Sequence, residues 1–196
     1  MNIDIKTTLR NGLDKELTVS ESLQHRAVGD LLEADSIELV KQKYPELIRE
    51  ASSKRSIDDF SIVDGEKEML FDIKTHYIQN VEGAFSMPNL ISVKRLKGVL
   101  EDPNKTLSYV FVDYTRVGDR LTVEDVTVKQ IWELDWSILR IGALGKGQLQ
   151  IKDANKELTY TDIGRDKWFE ILKEEVRKFY IKQISKTEKE ILNWTK

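Results

Sequence analysis

Ile57-Asp58-Asp59-Phe60-Ser61-Ile62-Val63-Asp64-Gly65-Glu66-Lys67-Glu68-Met69-Leu70-Phe71-Asp72-Ile73-Lys74 is the stretch on which the reading of this fold turns. Residues 57–63 and 68–75 read as two strands, and Asp64-Gly65 between them is a hairpin signal. Successive side chains of a strand alternate faces, so Asp72 and Lys74 project together while Ile73 enters the opposite layer. A turn centred between Gly65 and Glu66 sets Asp59 opposite Asp72, with Cβ atoms about 5 Å apart. If Asp64-Gly65 forms the turn instead, Asp59 opposes Leu70, one diagonal from Asp72 on the same face. A three-residue turn substitutes Asp58 for Asp59.

Two carboxylates that close repel each other unless something positive lies between them. A divalent cation resolves this, and Mg²⁺ takes one or two protein carboxylates, a backbone carbonyl, waters and phosphate oxygens. The expected ligands are Asp59, Asp72 and the backbone carbonyl of Ile73. Such an ion lowers the pKa of bound water and stabilises charge building on a phosphodiester. Lys74 beside the scissile phosphate could orient or deprotonate that water, or stabilise the pentavalent transition state. On spacing alone an Asp/Lys pair on a sheet face is ordinarily a solvated ion pair of little worth. Leu70, Phe71 and Ile73 argue against that, because they mark a buried strand where charges need a reason.

The composition agrees with an oxygen-ligated site. The 196 residues contain no cysteine and two histidines, His25 and His76, which excludes disulfides, thiol nucleophiles, zinc-thiolate centres and a His-rich zinc site. A single domain over 1–196 is expected, long enough to bury about 70% of its unfolded surface without staples. The net charge of −3 argues against coating nucleic acid by bulk electrostatics but leaves local phosphate contact open. No apolar run approaches a membrane span and the first fifteen residues do not read as a signal peptide, so the cytoplasm is the expected compartment.

Outward from the hairpin, Thr18-Val19-Ser20-Glu21 fits a capping box before a helix with Leu23, Ala27, Leu31 and Ile37 on its apolar side. Pro45 suits the first turn of a short second helix. Residues 89–100 read as a helix, 107–114 and 120–128 as a strand pair around Val117-Gly118-Asp119, 131–139 as a helix, and 148–152 as a strand. Residues 166–193 read as a long amphipathic helix with Trp168, Ile171, Leu172, Val176, Phe179, Tyr180 and Ile184 as its stripe. The class is α/β or α+β with a mixed central sheet. Its parts are N-terminal helices over 18–51, a core sheet with its loops over 57–152, and a C-terminal helix over 165–193.

Asp59, a thirteen-residue step to Asp72, then Lys74 resembles the PD-(D/E)xK nucleases, and within them type II restriction endonucleases of the HincII kind. Ile57-Asp58 stands where some members carry Pro-Asp. His25-Arg26-Ala27-Val28-Gly29-Asp30-Leu31-Leu32-Glu33 looks like the family's N-terminal helix, whose acidic residue, here Glu33, approaches the metal site. Ser86-Met87-Pro88-Asn89-Leu90-Ile91-Ser92 resembles a segment that meets the DNA bases, after a longer insert in this chain. Gly142-Ala143-Leu144-Gly145-Lys146-Gly147 looks like a recognition loop, and the tail from Gly164 is similar in pattern to the closing helix.

The resemblance implies a restriction-endonuclease-like fold and a Mg²⁺-dependent enzyme, with Mn²⁺ as a substitute and Ca²⁺ supporting binding without cleavage. It further implies a homodimer on a short palindromic duplex site, pairing with a DNA methyltransferase of the same specificity, and a prokaryotic cell. Thr75, Ser86, Met87, Asn89, Lys94, Ala143, Lys146 and Gln148 are the expected DNA contacts, and 18–51 the expected dimer contacts. Asn89 has two readings, a helix N-cap or an amide bonding adenine bidentately in the major groove. Lys94-Arg95-Leu96-Lys97 is a basic helix face near enough for phosphate. His76 reads as structural rather than as a base, and Trp132, Trp136, Trp168 and Trp194 as core or dimer contacts. Two other readings remain: a junction-resolving or repair nuclease of the same fold, and a non-catalytic α/β binding protein whose Asp–Lys face is an ion pair.

Overall fold

In chain order, the computed structural model runs α1 (Ile5–Leu13), β1 (Leu17–Thr18), α2 (His25–Lys43), β2 (Ile48–Glu50), β3 (Phe60–Asp64), β4 (Lys67–Tyr77), β5 (Asn89–Ser92) and α3 (Val93–Glu101). It continues with β6 (Lys105–Val117), β7 (Arg120–Gln130), a 3₁₀ turn (Ile131–Glu133), β8 (Leu139–Gly142), β9 (Gln148–Ile151) and α4 (Arg165–Trp194). The structure describes residues 3–13, 17–51, 56–78, 89–142, 147–152 and 158–195. These fall into two units, Met1–Ala84 with Asp102–Ile131, and Phe85–Glu101 with Trp132–Lys196.

The first unit is a six-stranded mixed sheet of order β1-β7-β6-β4-β3-β2, in which β4 and β6 are parallel and every other pair antiparallel. Parallel neighbours need a long crossover, and the chain makes it through β5 and α3. Leu107 through Val112 are all buried, which suits a central strand covered on both faces. The helices α1 and α2 pack with Phe60, Phe71, Ile73 and Val110 in one apolar core. The hairpin has the register of a turn centred between Gly65 and Glu66, with Phe60 opposite Phe71 and Asp64 opposite Lys67. Gly65 takes φ 62°, a left-handed conformation that disfavours any Cβ. Stacked Phe60 and Phe71 rings, 4.9 Å apart, seal that register on the helix side.

Several sequence expectations fail. The capping box is not one, because Thr18 pairs with Arg120 in the sheet and α2 starts only at His25, with no side-chain cap from Gln24. Its buried positions are Val28, Leu32, Ser36 and Val40, while Leu31 is exposed, so the inward stripe lies one residue away from the expected one. Pro45 sits in a turn closed by Leu47 N–H to Tyr44 O (3.1 Å), not in a helix. The stretch over 131–139 forms one 3₁₀ turn, and 89–92 is a strand. Unexpected was α1, whose Ile5, Leu9 and Leu13 recur at four-residue spacing and are buried.

In the second unit β5, β9 and β8 form a three-stranded antiparallel sheet, beside which α3 and α4 pack. Trp168 is fully buried and its Nε1–H donates to Leu134 O (2.8 Å), whereas Trp194 is 90% exposed. Trp168 and Leu172 are the buried residues of α4; Tyr180, Ile181, Ile184, Ile191 and Leu192 of its later turns are exposed. Among the described residues no helix is long and apolar enough to cross a membrane.

Two glycines test the backbone argument with opposite signs. Neither Gly65 nor Gly98 has any atom within 4 Å of where a Cβ would stand. Gly65→Ala is expected to destabilise by about 1 kcal/mol through its positive φ. Gly98→Ala, inside α3, is expected to stabilise by about 0.5–1 kcal/mol. Urea melts of both variants check this.

Candidate active site

Strand alternation places Ile73 among the core residues under the helices, so Asp72 and Lys74 lie on the opposite face. Extending the hairpin register by one position brings Asp59 beside Asp72, as the turn arithmetic requires. The strand itself begins at Phe60, and Asp59 carries its ladder one step further through a backbone bond and a side-chain bond. Asp59 N–H donates to Phe71 O (2.8 Å), and Asp59 Oδ2 accepts the N–H of Ile73 at 2.6 Å. A residue's N–H and C=O point to the same edge of an extended strand. The Ile73 carbonyl therefore faces the edge where Asp59 sits.

Asp72 is paired in register with Tyr109 of β6, and Tyr109 with Lys129 of β7. Asp59, Asp72, Tyr109 and Lys129 thus form one row across four strands. Asp72 Oδ2 is buried and makes an ion pair with Lys74 Nζ. Burial pushes the Asp72 carboxyl up to about 7, with Lys74 opposing the rise and Asp59 and Glu33 adding to it. Asp59 is raised too, chiefly by burial, against the pull of the Ile73 N–H and Lys74. Glu33 of α2 is raised by burial first and then by Asp59, with Lys74 opposing. All three carboxyls are pushed toward their neutral forms and all three feel the Lys74 ammonium, and strongly perturbed carboxyls are common where function needs them.

The carboxyl of the neighbouring Asp58 is raised chiefly by burial, with the charges of Glu68 and Asp59 adding to the rise and Lys105 opposing it; Glu68 and Lys105 pair with each other at 2.9 Å. His76 Nδ1 lies 3.1 Å from Asp113 Oδ1, a structural contact at the end of the strand. Thr75 faces α2: a Cβ on Gly29 would stand 2.7 Å from its Oγ1, so the missing side chain is what lets helix and strand meet there. Tyr109 was not singled out from the sequence. It is fully buried, its hydroxyl has no hydrogen-bond partner among the described residues, and only the parallel pairing of two strands distant in sequence puts it next to Asp72.

The remaining predicted residues belong to the second unit or lie outside the described residues, as Ser86, Met87, Ala143 and Lys146 do. Asn89 does not cap a helix. The helix begins at Val93, and the capping oxygen is Ser92 Oγ, 3.4 Å from Arg95 N. Gln148 is half-buried in β9 between Ser92 and Gly142, and Lys94 is exposed on α3.

Among the described residues no three carboxylates or imidazoles are gathered into a ready metal-ligand cluster. Mg²⁺ does not require one, since it binds through one or two carboxylates and keeps several waters. Asp59 and Asp72 are the residues that could hold such an ion, with the Ile73 carbonyl at the same edge.

No family model matches the sequence, and no curated protein matches it. Among solved structures it is similar to the NlaIV restriction endonuclease, with 14% identity and a TM-score of 0.52 over 76% of this chain. The match spans 65% of the length of that protein. At this identity the likeness is one of fold, and the chain has the restriction-endonuclease-like fold: a mixed sheet flanked by helices.

The raised Asp72 carboxyl has a stability consequence. Its folded value of about 7 lies above the ordinary 3.8, so between those values only the folded chain keeps the proton. Stability contributed by this group is fully present below about pH 4 and is lost as pH rises through about 7. Asp72→Asn is therefore expected to raise the melting temperature at pH 8, by roughly 2–4 kcal/mol in free energy. That gain should vanish near pH 4. Thermal melts across pH check it; a difference independent of pH would contradict it.

Proposed function

We propose that this protein is a Mg²⁺-dependent type II restriction endonuclease that hydrolyses both strands of a short duplex DNA site. The observation that carries the reading is the half-buried Asp59–Asp72 pair with Lys74 on the same face, held by a hairpin register that the core enforces. The similarity to a protein named as a restriction endonuclease supports it. So do the residue pattern of the PD-(D/E)xK nucleases, including the HincII kind, and the charges of Asp59 and Lys74 that act on Glu33.

When bound, Mg²⁺ acidifies a water and neutralises charge building on the phosphoryl oxygens. Asp59 and Asp72 hold the site, and their mutual repulsion is what the cation relieves. The Ile73 N–H fixes Asp59 through its hydrogen bond, so that one carboxylate is oriented before any ligand arrives. Lys74 is tethered to Asp72 and keeps an ammonium where negative charge builds at the phosphate, which orients the attacking water and stabilises the transition state. The new P–O bond forms from the water as the P–O3′ bond breaks; the water gives up a proton to solvent and the leaving 3′ oxygen takes one from solvent to become a hydroxyl. A palindromic site is best met by a twofold homodimer. The cell then protects its own DNA with a methyltransferase of the same specificity.

The test is a digest of phage DNA with Mg²⁺, which should yield discrete fragments. Cleavage confined to branched DNA would point to a junction-resolving or repair enzyme, and no cleavage to a binding protein. Asp59→Ala, Asp72→Ala and Lys74→Ala should each lower cleavage by about a hundred- to a thousandfold, the range typical for loss of one electrostatic catalytic group. Asp58→Ala should retain most activity, because the hairpin register sets Asp59, not Asp58, beside Asp72. Ca²⁺ should support binding without cutting, and EDTA should abolish cutting. Full cleavage by all four variants, or in EDTA, would remove the assignment.

A further inference from the structure

The three-stranded sheet of β5, β9 and β8 has two unlike faces. Leu139, Leu149 and Ile151 are buried, whereas the alternate positions carry a polar row in register: Asn89 opposite Gln150, and Gln150 opposite Arg140. Gln150 is itself only 6% exposed, which is unusual for an amide and requires both of its ends to be satisfied. They are. Its Oε1 accepts from Arg140 Nε at 3.1 Å, and its Nε2 donates to Asn89 Oδ1 at 2.5 Å.

A glycine makes this possible. A Cβ on Gly142 would stand 2.1 Å from Gln150 Oε1, so only the bare backbone of β8 leaves room for the amide to lie toward Arg140. The consequence is a surface with one sign of hydrogen bonding. Arg140 is exposed, and its two terminal NH₂ groups have no partner among the described residues. Asn89, also exposed, has its oxygen engaged by Gln150, which leaves its NH₂ to donate. The row offers donors and withholds its acceptor.

Base edges in the major groove sort ligands for such a row. Adenine offers an acceptor beside a donor, and so asks an amide for both of its atoms. Cytosine offers a donor, thymine a single acceptor beside a methyl, and guanine two adjacent acceptors, O6 and N7. A guanidinium fork fits guanine bidentately, and its Nε is the atom left over for support from behind. We propose that Arg140, braced by Gln150 across Gly142 and flanked by Asn89, reads a guanine in the major groove of the DNA site. This rests on the reading of the chain as a sequence-specific nuclease. It also changes the expectation for Asn89, whose engaged oxygen suits it to an acceptor such as guanine O6 or thymine O4 rather than to bidentate adenine.

The experiment uses the full chain and a pool of short duplexes with a randomised centre, bound in Ca²⁺ and sequenced, alongside cleavage of the same pool in Mg²⁺. Wild-type protein should enrich sites with a guanine at a fixed place in each half-site. Arg140→Lys keeps the charge but not the fork. It should cut the preference for guanine over adenine at that place by about 5- to 100-fold. Gln150→Leu and Gly142→Ala should lower the same preference, since each removes the brace while circular dichroism verifies folding. An unchanged guanine preference in Arg140→Lys overturns the proposal, as does a wild-type consensus without guanine, or cleavage with no sequence preference. These outcomes leave the nuclease reading standing. Only absence of Mg²⁺-dependent cleavage of any duplex removes both.

Discussion

Side chains in a strand have a period of two, and the hairpin of β3 and β4 turns that into the constraint on which the first unit rests. In the observed register Phe60, Phe71 and Ile73 face α1 and α2, and Asp59, Asp72 and Lys74 face away. A slip of β4 by one residue would drive Asp72 and Lys74 into an apolar core and Phe71 and Ile73 out of it. Each buried aromatic is worth several kcal/mol and each unpaired buried charge costs as much, so the alternative is closed from both sides. Gly65 sets the turn; the core enforces it. The candidate site is therefore held by the same packing that stabilises the sheet.

That arrangement has an electrostatic cost. Asp59, Asp72 and Glu33 are all pushed toward their neutral forms by burial, and Lys74 relieves only part of the strain. A chain selected for stability alone would replace Asp72 with an apolar residue, as its neighbours Phe71 and Ile73 suggest. Buried groups left in tension are best understood by what arrives to release the tension. The hydroxyl of Tyr109 beside Asp72, without a hydrogen-bond partner among the described residues, belongs to the same patch.

The second unit solves a different problem with the same periodicity. Its small sheet gives its apolar residues to the interior and keeps a polar row of Asn89, Gln150 and Arg140, where a buried amide converts two flexible side chains into an oriented set. Gly142 is a spacing element there: what it contributes is the absence of an atom. Preorganisation of this kind favours discrimination between ligands, because a fixed set of donors leaves wrong partners unsatisfied.

The hairpin, its turn, the faces of Asp59, Asp72 and Lys74, and the long strands of β6 and β7 were legible in the sequence, because each depends on local chemistry: alternation, a turn glycine, β-branched runs. The carboxylate pair came from counting across a turn. What local pattern could not give was everything set by partners distant in the chain. The false capping box at Thr18 arose because an edge strand claims those residues for β7. The inward face of α2 is chosen by the sheet beneath it, so Val28 and Leu32 are buried and Leu31 is not. Asn89 looked like a cap because its pairing with Gln150 joins residues far apart in the chain. Tyr109 meets Asp72 only through a parallel pairing whose register is set by a crossover. Sequence determined which side chains share a strand face; tertiary structure decided which faces meet, because cross-strand register between distant segments is a property of the packed core and not of any one segment.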